Sequence, residues 1–267
     1  MLLAPNYGGV DGDHDSAAYI VHGPISGTSQ LADTDTLITT NDDSVRLGYA
    51  SSASGDLNGD GLPEVALGSG SYSSARGGVW IFEPPLSGTL TTDDADASFV
   101  GEAYGQAGDA VSSGGDVDGD GYGDLLVGAW DYSDMGGRAY LVLGPFDGSS
   151  SLRDAAAIVE ADGLSAQVGD AVSLEQDLDA DGRADVVIGA PGAVGAPYEG
   201  AVFVFYETFE GTVNAFDEAD AVLYSVSKEG WHTTGGRLGP AGDVNGDGFD
   251  DLYIHGEVEY LVFGEER

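Results

Sequence analysis

The hydrophobic positions of this chain fall in runs of four to six residues, bounded by glycine and aspartate. Runs of that length with those boundaries predict β-strands rather than helices. Four of the runs follow directly on an acid-rich segment. Asp56–Gly68 reads DLNGDGLPEVALG, Asp116–Gly128 reads DVDGDGYGDLLVG, Asp177–Gly189 reads DLDADGRADVVIG, and Asp243 begins DVNGDGFDDLYIHG. The motif starts lie 60, 61 and 66 residues apart, and a period of this size marks an array of supersecondary units. A glycine precedes each motif by eight residues: Gly48, Gly108, Gly169 and Gly235. A glycine-containing loop and a second apolar run follow each motif strand, at Val79–Phe82, Ala139–Leu143, Ala201–Phe205 and Tyr260–Phe263. A polar linker comes next, as in Leu86–Glu102, and its end forms a short third strand. The run before the next motif, such as Asp109–Ser113, supplies a fourth.

Four strands in about 60 residues predict a propeller blade. The expected fold class is therefore all-β: a partial β-propeller of about four to five blades, each of four antiparallel strands. The units run roughly over 1–47, 48–107, 108–168, 169–234 and 235–267. The first lacks its motif strand, with Leu2–Ala4, Ala17–His22 and Thr36–Thr39 matching the strands that follow a motif. The last lacks its final strand. This describes a piece of a ring, or a ring closed in an unusual way. No linker or shift in composition divides residues 1–267, so one domain is expected.

Composition sharpens this picture. Hydrophobic residues make up 42% of 267, enough for a packed core, and the 44 glycines suit many tight turns. Eight basic residues face 47 acidic ones, a net charge of −39. Such a surface repels nucleic acid and anionic membranes and attracts divalent cations and basic partners. A salt-adapted proteome produces the same balance, but here many acids sit in ordered motifs. The absence of cysteine excludes disulfides and thiolate chemistry. No apolar window is long enough for a membrane-spanning helix, and no signal peptide is visible.

The acidic loops have the donor set of a calcium site. Calcium takes six to eight oxygens, chiefly carboxylates and carbonyls. Positions 1, 3 and 5 offer side-chain oxygens: Asp56, Asn58 and Asp60; Asp116, Asp118 and Asp120; Asp177, Asp179 and Asp181; Asp243, Asn245 and Asp247. Position 6 is always glycine, which permits a sharp reversal. Position 7 varies too much for its side chain to serve, so Leu62, Tyr122, Arg183 and Phe249 would offer their carbonyls. Position 9 is acidic again, as Glu64, Asp124, Asp185 and Asp251. An EF-hand begins alike but requires a glutamate at position 12, where this chain has Leu67, Val127, Ile188 and Ile254. The plainer alternative is an Asp-rich turn held by Asx hydrogen bonds without metal. Asp11, Asp13 and Asp15 form another acidic stretch, but lack the glycine turn and read as a solvated loop.

The motif D-x-[DN]-x-D-G-x-x-[DE], leading into a strand that ends in Gly189-Ala190-Pro191 or a variant, resembles the FG-GAP repeat of integrin α-chain propellers and their bacterial relatives. Gly128-Ala129-Trp130 and Gly68-Ser69-Gly70 are variants of that ending, and His255-Gly256-Glu257 departs further. The other half of the repeat is matched by Leu47-Gly48, Val168-Gly169 and, more loosely, Leu238-Gly239. The resemblance implies calcium between strands one and two of each blade, about four ions in all. It also implies a seven-bladed ring, longer than this chain.

Catalytic chemistry is sparse. His14, His22, His232 and His255 are scattered without a zinc pair, and neither a G-x-S-x-G elbow nor a phosphate loop occurs. The chain reads as no enzyme. The rim loops carry Tyr7, Tyr72 and Tyr132 at one shared offset, with Trp130 nearby. These form either a binding face for a protein or glycan ligand, or packing against the next blade. The expected function is a calcium-binding recognition or adhesion module, secreted or at a cell surface. The alternative is an accessory propeller of a secreted phospholipase-like or polysaccharide-degrading enzyme.

Overall fold

A computed structural model describes residues 16–267 apart from 25, 29, 31–33, 35, 43, 44, 162–164, 196, 197, 226–233, 257 and 258. The described chain forms five small sheets in sequence order. The first contains β1 (Ala17–Ile20) and β2 (Thr36–Thr39). The second is built from β3 (Ala50–Ser52), β4 (Val65–Ser69) and β5 (Gly78–Phe82). The chain then makes β6 (Gly88–Thr91) and returns to the outer edge of the second sheet as β7 (Ala97–Val100). The third sheet repeats this plan with β8 (Ala110–Ser113), β9 (Leu125–Ala129), β10 (Arg138–Val142), β11 (Gly148–Ser151) and β12 (Ala157–Glu160). The fourth has β13 (Ala171–Ser173), β14 (Val186–Gly195), β15 (Tyr198–Phe205) and β17 (Ala221–Tyr224), the chain making β16 (Gly211–Asn214) on the way from β15 to β17. The fifth has β18 (Arg237–Gly242), β19 (Asp251–His255) and β20 (Glu259–Val262). The expected stretch Leu2–Ala4 lies outside the described residues.

The four-stranded antiparallel plan holds in the blades β3-β4-β5-β7, β8-β9-β10-β12 and β13-β14-β15-β17, with one addition. The linker strands β6, β11 and β16 do not join their own blades. Each pairs in parallel with the outer strand of the preceding blade: β6 with β2, β11 with β7, β16 with β12. Two blades thus carry a fifth strand lent by the next unit. Their sequences, GTLT, GSSS and GTVN, lack an apolar run, and each begins with two exposed residues, as suits a sheet edge, although Val213 is buried. Hydrophobic pattern alone does not reveal such strands.

The core lies between sheets. Ala18, Ile20 and Ile38 of the first pack with Val65, Leu67, Trp80 and Phe82 of the second. The alternate residues Ala66, Val79 and Ile81 turn the other way, onto Leu125, Val127 and Tyr140. The parity repeats with Leu126, Ala139 and Leu141 against Val186, Ile188 and Phe203, and with Val187, Val202 and Val204 against Leu252 and Ile254. Successive side chains of a strand face opposite blades, so both faces are buried and the runs read as continuous rather than alternating.

Blades approach closely because glycine faces glycine. The N–H of Gly108 bonds Gly128 O of its own blade at 2.9 Å, and Gly169 bonds Gly189 O at 2.9 Å. Gly48 and Gly235 do the same with Gly68 and His255. These four glycines have φ between +78° and +93°, a region costly for other residues. The shared glycine of the last unit is therefore Gly235, preceded by Thr234. Leu238-Gly239 is not the equivalent pair, because Leu238 lies within β18, opposite Ile254.

Candidate metal loops and rim

Each acidic loop joins the first and second strands of a blade, as expected, and is built around its first carboxylate. In the loop of the second sheet, Asp56 Oδ1 accepts the N–H groups of Gly59 and Asp60, at 2.7 and 3.0 Å, and Oδ2 accepts that of Gly61 at 2.8 Å. The same three bonds recur at Asp116 and Asp243. At Asp177 the donors are Asp181 and Gly182. Positions 3 and 5 continue the pattern, accepting the N–H two residues on. Position 4 as well as position 6 takes positive φ, at Gly59, Gly119, Ala180 and Gly246. The motif's glycine at position 6 signals only half of this requirement.

The position-9 carboxylate is deeply buried in all four loops. One oxygen closes the loop by accepting the N–H of position 2: Leu57, Val117, Leu178 or Val244. The other oxygen differs between blades. Asp124 Oδ1 accepts Gly144 N–H at 2.9 Å and Asp251 Oδ1 accepts Gly264 N–H at 3.1 Å, each just past the third strand. In the second sheet that place belongs to Pro84, which has no N–H, and Glu64 Oε1 is buried without a hydrogen-bond partner. Asp185 Oδ1 is buried and unpartnered too. An unpaired buried carboxylate oxygen is costly unless a cation meets it.

Among the described residues, three groups of carboxylates converge. Asp56, Asp60 and Glu64 form one, Asp116, Asp118 and Asp124 the second, and Asp177, Asp179 and Asp185 the third; within each, one oxygen per residue lies within 4.8 Å of the others. Asn58 accepts from Asp60 N–H, and Asp120 and Asp181 accept from the position-7 N–H groups of Tyr122 and Arg183. The fourth loop has the same turn, but Asp243, Asp247 and Asp251 are not such a group. There Asn245 Nδ2 donates to Asp247 Oδ2 at 2.7 Å.

Burial raises the pKa of these acids, and their own neighbours add to it. Asp185 is pushed up to about 8 and Asp124 to about 6, in both cases chiefly by desolvation. Glu64 and Asp177 move in the same direction for the same reason. A carboxyl whose pKa is raised on folding binds protons more tightly when folded. Its contribution to stability is complete below the unfolded value near 3.8 and is lost as pH rises through the folded value. In EDTA, the melting temperature is therefore expected to fall as pH rises from about 4 to about 8, the Asp124 share being gone by about pH 6 and the Asp185 share by about pH 8. A melting temperature that climbs over that window would contradict this account of the loops.

The rim aromatics are mostly engaged. Tyr72 stacks edge-on against Trp80 of its own blade, with ring centroids 5.0 Å apart. The Arg138 guanidinium lies 3.9 Å from the centre of the Tyr132 ring and is paired with Glu102 and Glu160. Trp130 Nε1 donates to Asp109 at 2.9 Å. Packing thus accounts for Tyr72 and Trp130. Tyr7, His14, His232 and the Asp11–Asp15 stretch lie outside the described residues. Sequence reasoning passed over Tyr104, which is 74% exposed. With Ala103, Asp131, Tyr132 and Ser133 it lines a rim hollow of about 420 Å³.

Radial sheets, glycine seams and acidic loops between first and second strands define a β-propeller domain. The FG-GAP repeat matches residues 48–82 and 168–205. The chain carries FG-GAP repeats at these positions. It is 32% identical over 177 residues to phosphatidylinositol-glycan-specific phospholipase D of Bos taurus, covering 62% of this chain and 20% of the relative. The human protein of that name is 32% identical over 168 residues, covering 58% and 19%. Integrin alpha pat-2 of Caenorhabditis elegans is 26% identical over 228 residues, covering 78% and 18%. The chain thus spans about a fifth of the length of these relatives. No helix among the described residues is long and apolar enough to cross a membrane.

Proposed function

We propose that this chain is a calcium-stabilised, non-catalytic recognition module that works outside the cell. The observation that carries the reading is the pair of buried, unpartnered oxygens of Glu64 and Asp185 within converging carboxylate groups. Positions 1, 3, 5 and 9 would hold the ion with side-chain oxygens and position 7 with its carbonyl. Bound calcium supplies the positive charge that these acids otherwise lack, and its role there is structural. Recognition falls to the rim, where exposed Tyr104 and the hollow beside it offer a stacking surface to a protein or glycan.

Calorimetric titration tests the calcium reading. Heat of binding is expected for calcium, with midpoints of roughly 0.1–1 mM, and much less for magnesium, which demands a smaller octahedral cage. Absence of calcium heat at millimolar concentration would remove the reading. A second reading makes the chain an accessory part of a secreted enzyme, and the identity to the phospholipase D relatives favours it. On either reading the chain alone is expected to release nothing from a phosphatidylinositol-glycan-anchored protein. Turnover by the isolated chain would assign chemistry to it.

A further inference from the structure

The acidic loops touch one another, and the contacts repeat. In three of the four loops the position-8 N–H donates to the position-1 carbonyl of the loop before it; the Asp56 loop has Pro63 at position 8. Gly123 N–H bonds Asp56 O at 2.8 Å, Ala184 N–H bonds Asp116 O at 3.0 Å, and Asp250 N–H bonds Asp177 O at 3.1 Å. The position-7 side chain reaches the same neighbour. A Cβ added to Gly59 would sit 2.8 Å from Tyr122 Cε1, and one on Gly119 would sit 3.5 Å from Arg183 Nε. Tyr122 and Arg183 therefore lie on position 4 of the preceding loop. The sequence reading gave position 7 a carbonyl role only.

We propose that each blade completes the metal site of the blade before it, with the position-7 side chain and the position-8 N–H as positioning groups, so that the loops load as a coupled array. The proposal rests on the calcium reading above. The physical link is short. The first Asp of a loop gathers up to three N–H groups on its carboxylate, while its own carbonyl is held by the following loop. Ordering the following loop fixes that carbonyl and, through Tyr122, also covers the turn at Gly59. A comparison within the chain supports the direction of the effect. The loops of Asp56, Asp116 and Asp177 are each buttressed by a following loop, and their carboxylates converge. No described loop follows that of Asp243, and its carboxylates form no such group.

Calcium titration of the 15N-labelled chain tests this, followed at the N–H groups of Gly61, Gly121, Gly182 and Gly248. Each bonds the first Asp of its own loop and so reports one site. Gly248 is expected to respond at the highest calcium concentration. Tyr122→Ala is expected to weaken the Gly61 response roughly threefold to tenfold, in the lower part of the range of coupling between residues in contact. Tyr122→Phe, which keeps the ring, is expected to restore it. The Gly121 response should hold in both, because the Tyr122 carbonyl is retained. An unchanged Gly61 midpoint in Tyr122→Ala overturns the coupling and leaves calcium binding standing. Equal losses at Gly61 and Gly121 also overturn it, because they reduce the effect to general damage. A wild-type chain without response at any of the four glycines overturns the coupling and the calcium reading together.

Discussion

Gly128→Ala is expected to destabilise the protein by about 3 kcal/mol or more, at the upper end of overpacking effects. Gly128 lies in β9, on the seam with the next blade. A Cβ there would sit 1.9 Å from Gly169 O and 2.9 Å from its carbonyl carbon. That carbonyl has little freedom to retreat, because Gly169 is tied by its own N–H to Gly189. The same notch recurs at Gly68, 2.1 Å from Gly108 O, and at Gly189, 1.8 Å from Gly235 O. Two blades would have to separate along the seam, losing packing in the cluster that holds Leu126, Val186 and Ile188. The melting temperature should drop by roughly 6 °C or more for a chain of this size. Gly121→Ala is the comparison. Gly121 has φ +92°, but its Cβ would meet nothing within 4 Å. It should cost only about 1–2 kcal/mol, the backbone penalty alone. Both are measured in EDTA, so that loop occupancy does not enter. If Gly128→Ala melts no lower than Gly121→Ala, the blades are not set as closely as the glycine seam requires. The last sheet supports the argument. His255 takes the equivalent register position there, partly exposed and paired with Glu259, where no described blade presses on it.

Calcium should move stability in the opposite direction. At tenfold the dissociation constant, one site adds about 1.4 kcal/mol. Three converging groups would together add about 4 kcal/mol, or roughly 7–10 °C in melting temperature at 1–2 mM calcium against EDTA. The gain should grow with pH, because the ion requires ionised carboxylates and must displace the protons that burial retains on Asp124 and Asp185. At pH 4 the difference should nearly vanish; at pH 8 it should be largest. Equal midpoints with calcium and EDTA at pH 8 would mean that the backbone N–H groups alone hold these turns. The loops would then be Asx turns and nothing more.

Much of the architecture is legible in the sequence. The period and the acidic loops gave the blades. Apolar runs such as Val79–Phe82 and Ala201–Phe205 placed their strands to within a few residues. The lent strands β6, β11 and β16 were invisible because their stability comes from backbone pairing at an exposed edge, which demands no hydrophobic pattern. The rim was legible only as aromatic positions. Whether a tyrosine faces a ligand or a neighbour depends on what the fold sets beside it, and Tyr72 found Trp80.

The sequence by itself determined the local conformations: where carboxylates and glycines recur, the turn closes on its own N–H groups within nine residues. Only the tertiary structure decided what those turns mean to each other. Contacts such as Gly128 with Gly169, or Tyr122 with Gly59, join residues tens of positions apart. Their energy arises from blades meeting face to face, and local propensity does not encode it. The three acidic groups that converge are also the three whose first carbonyl is bonded by the following loop, a pairing that no local pattern in the sequence displays.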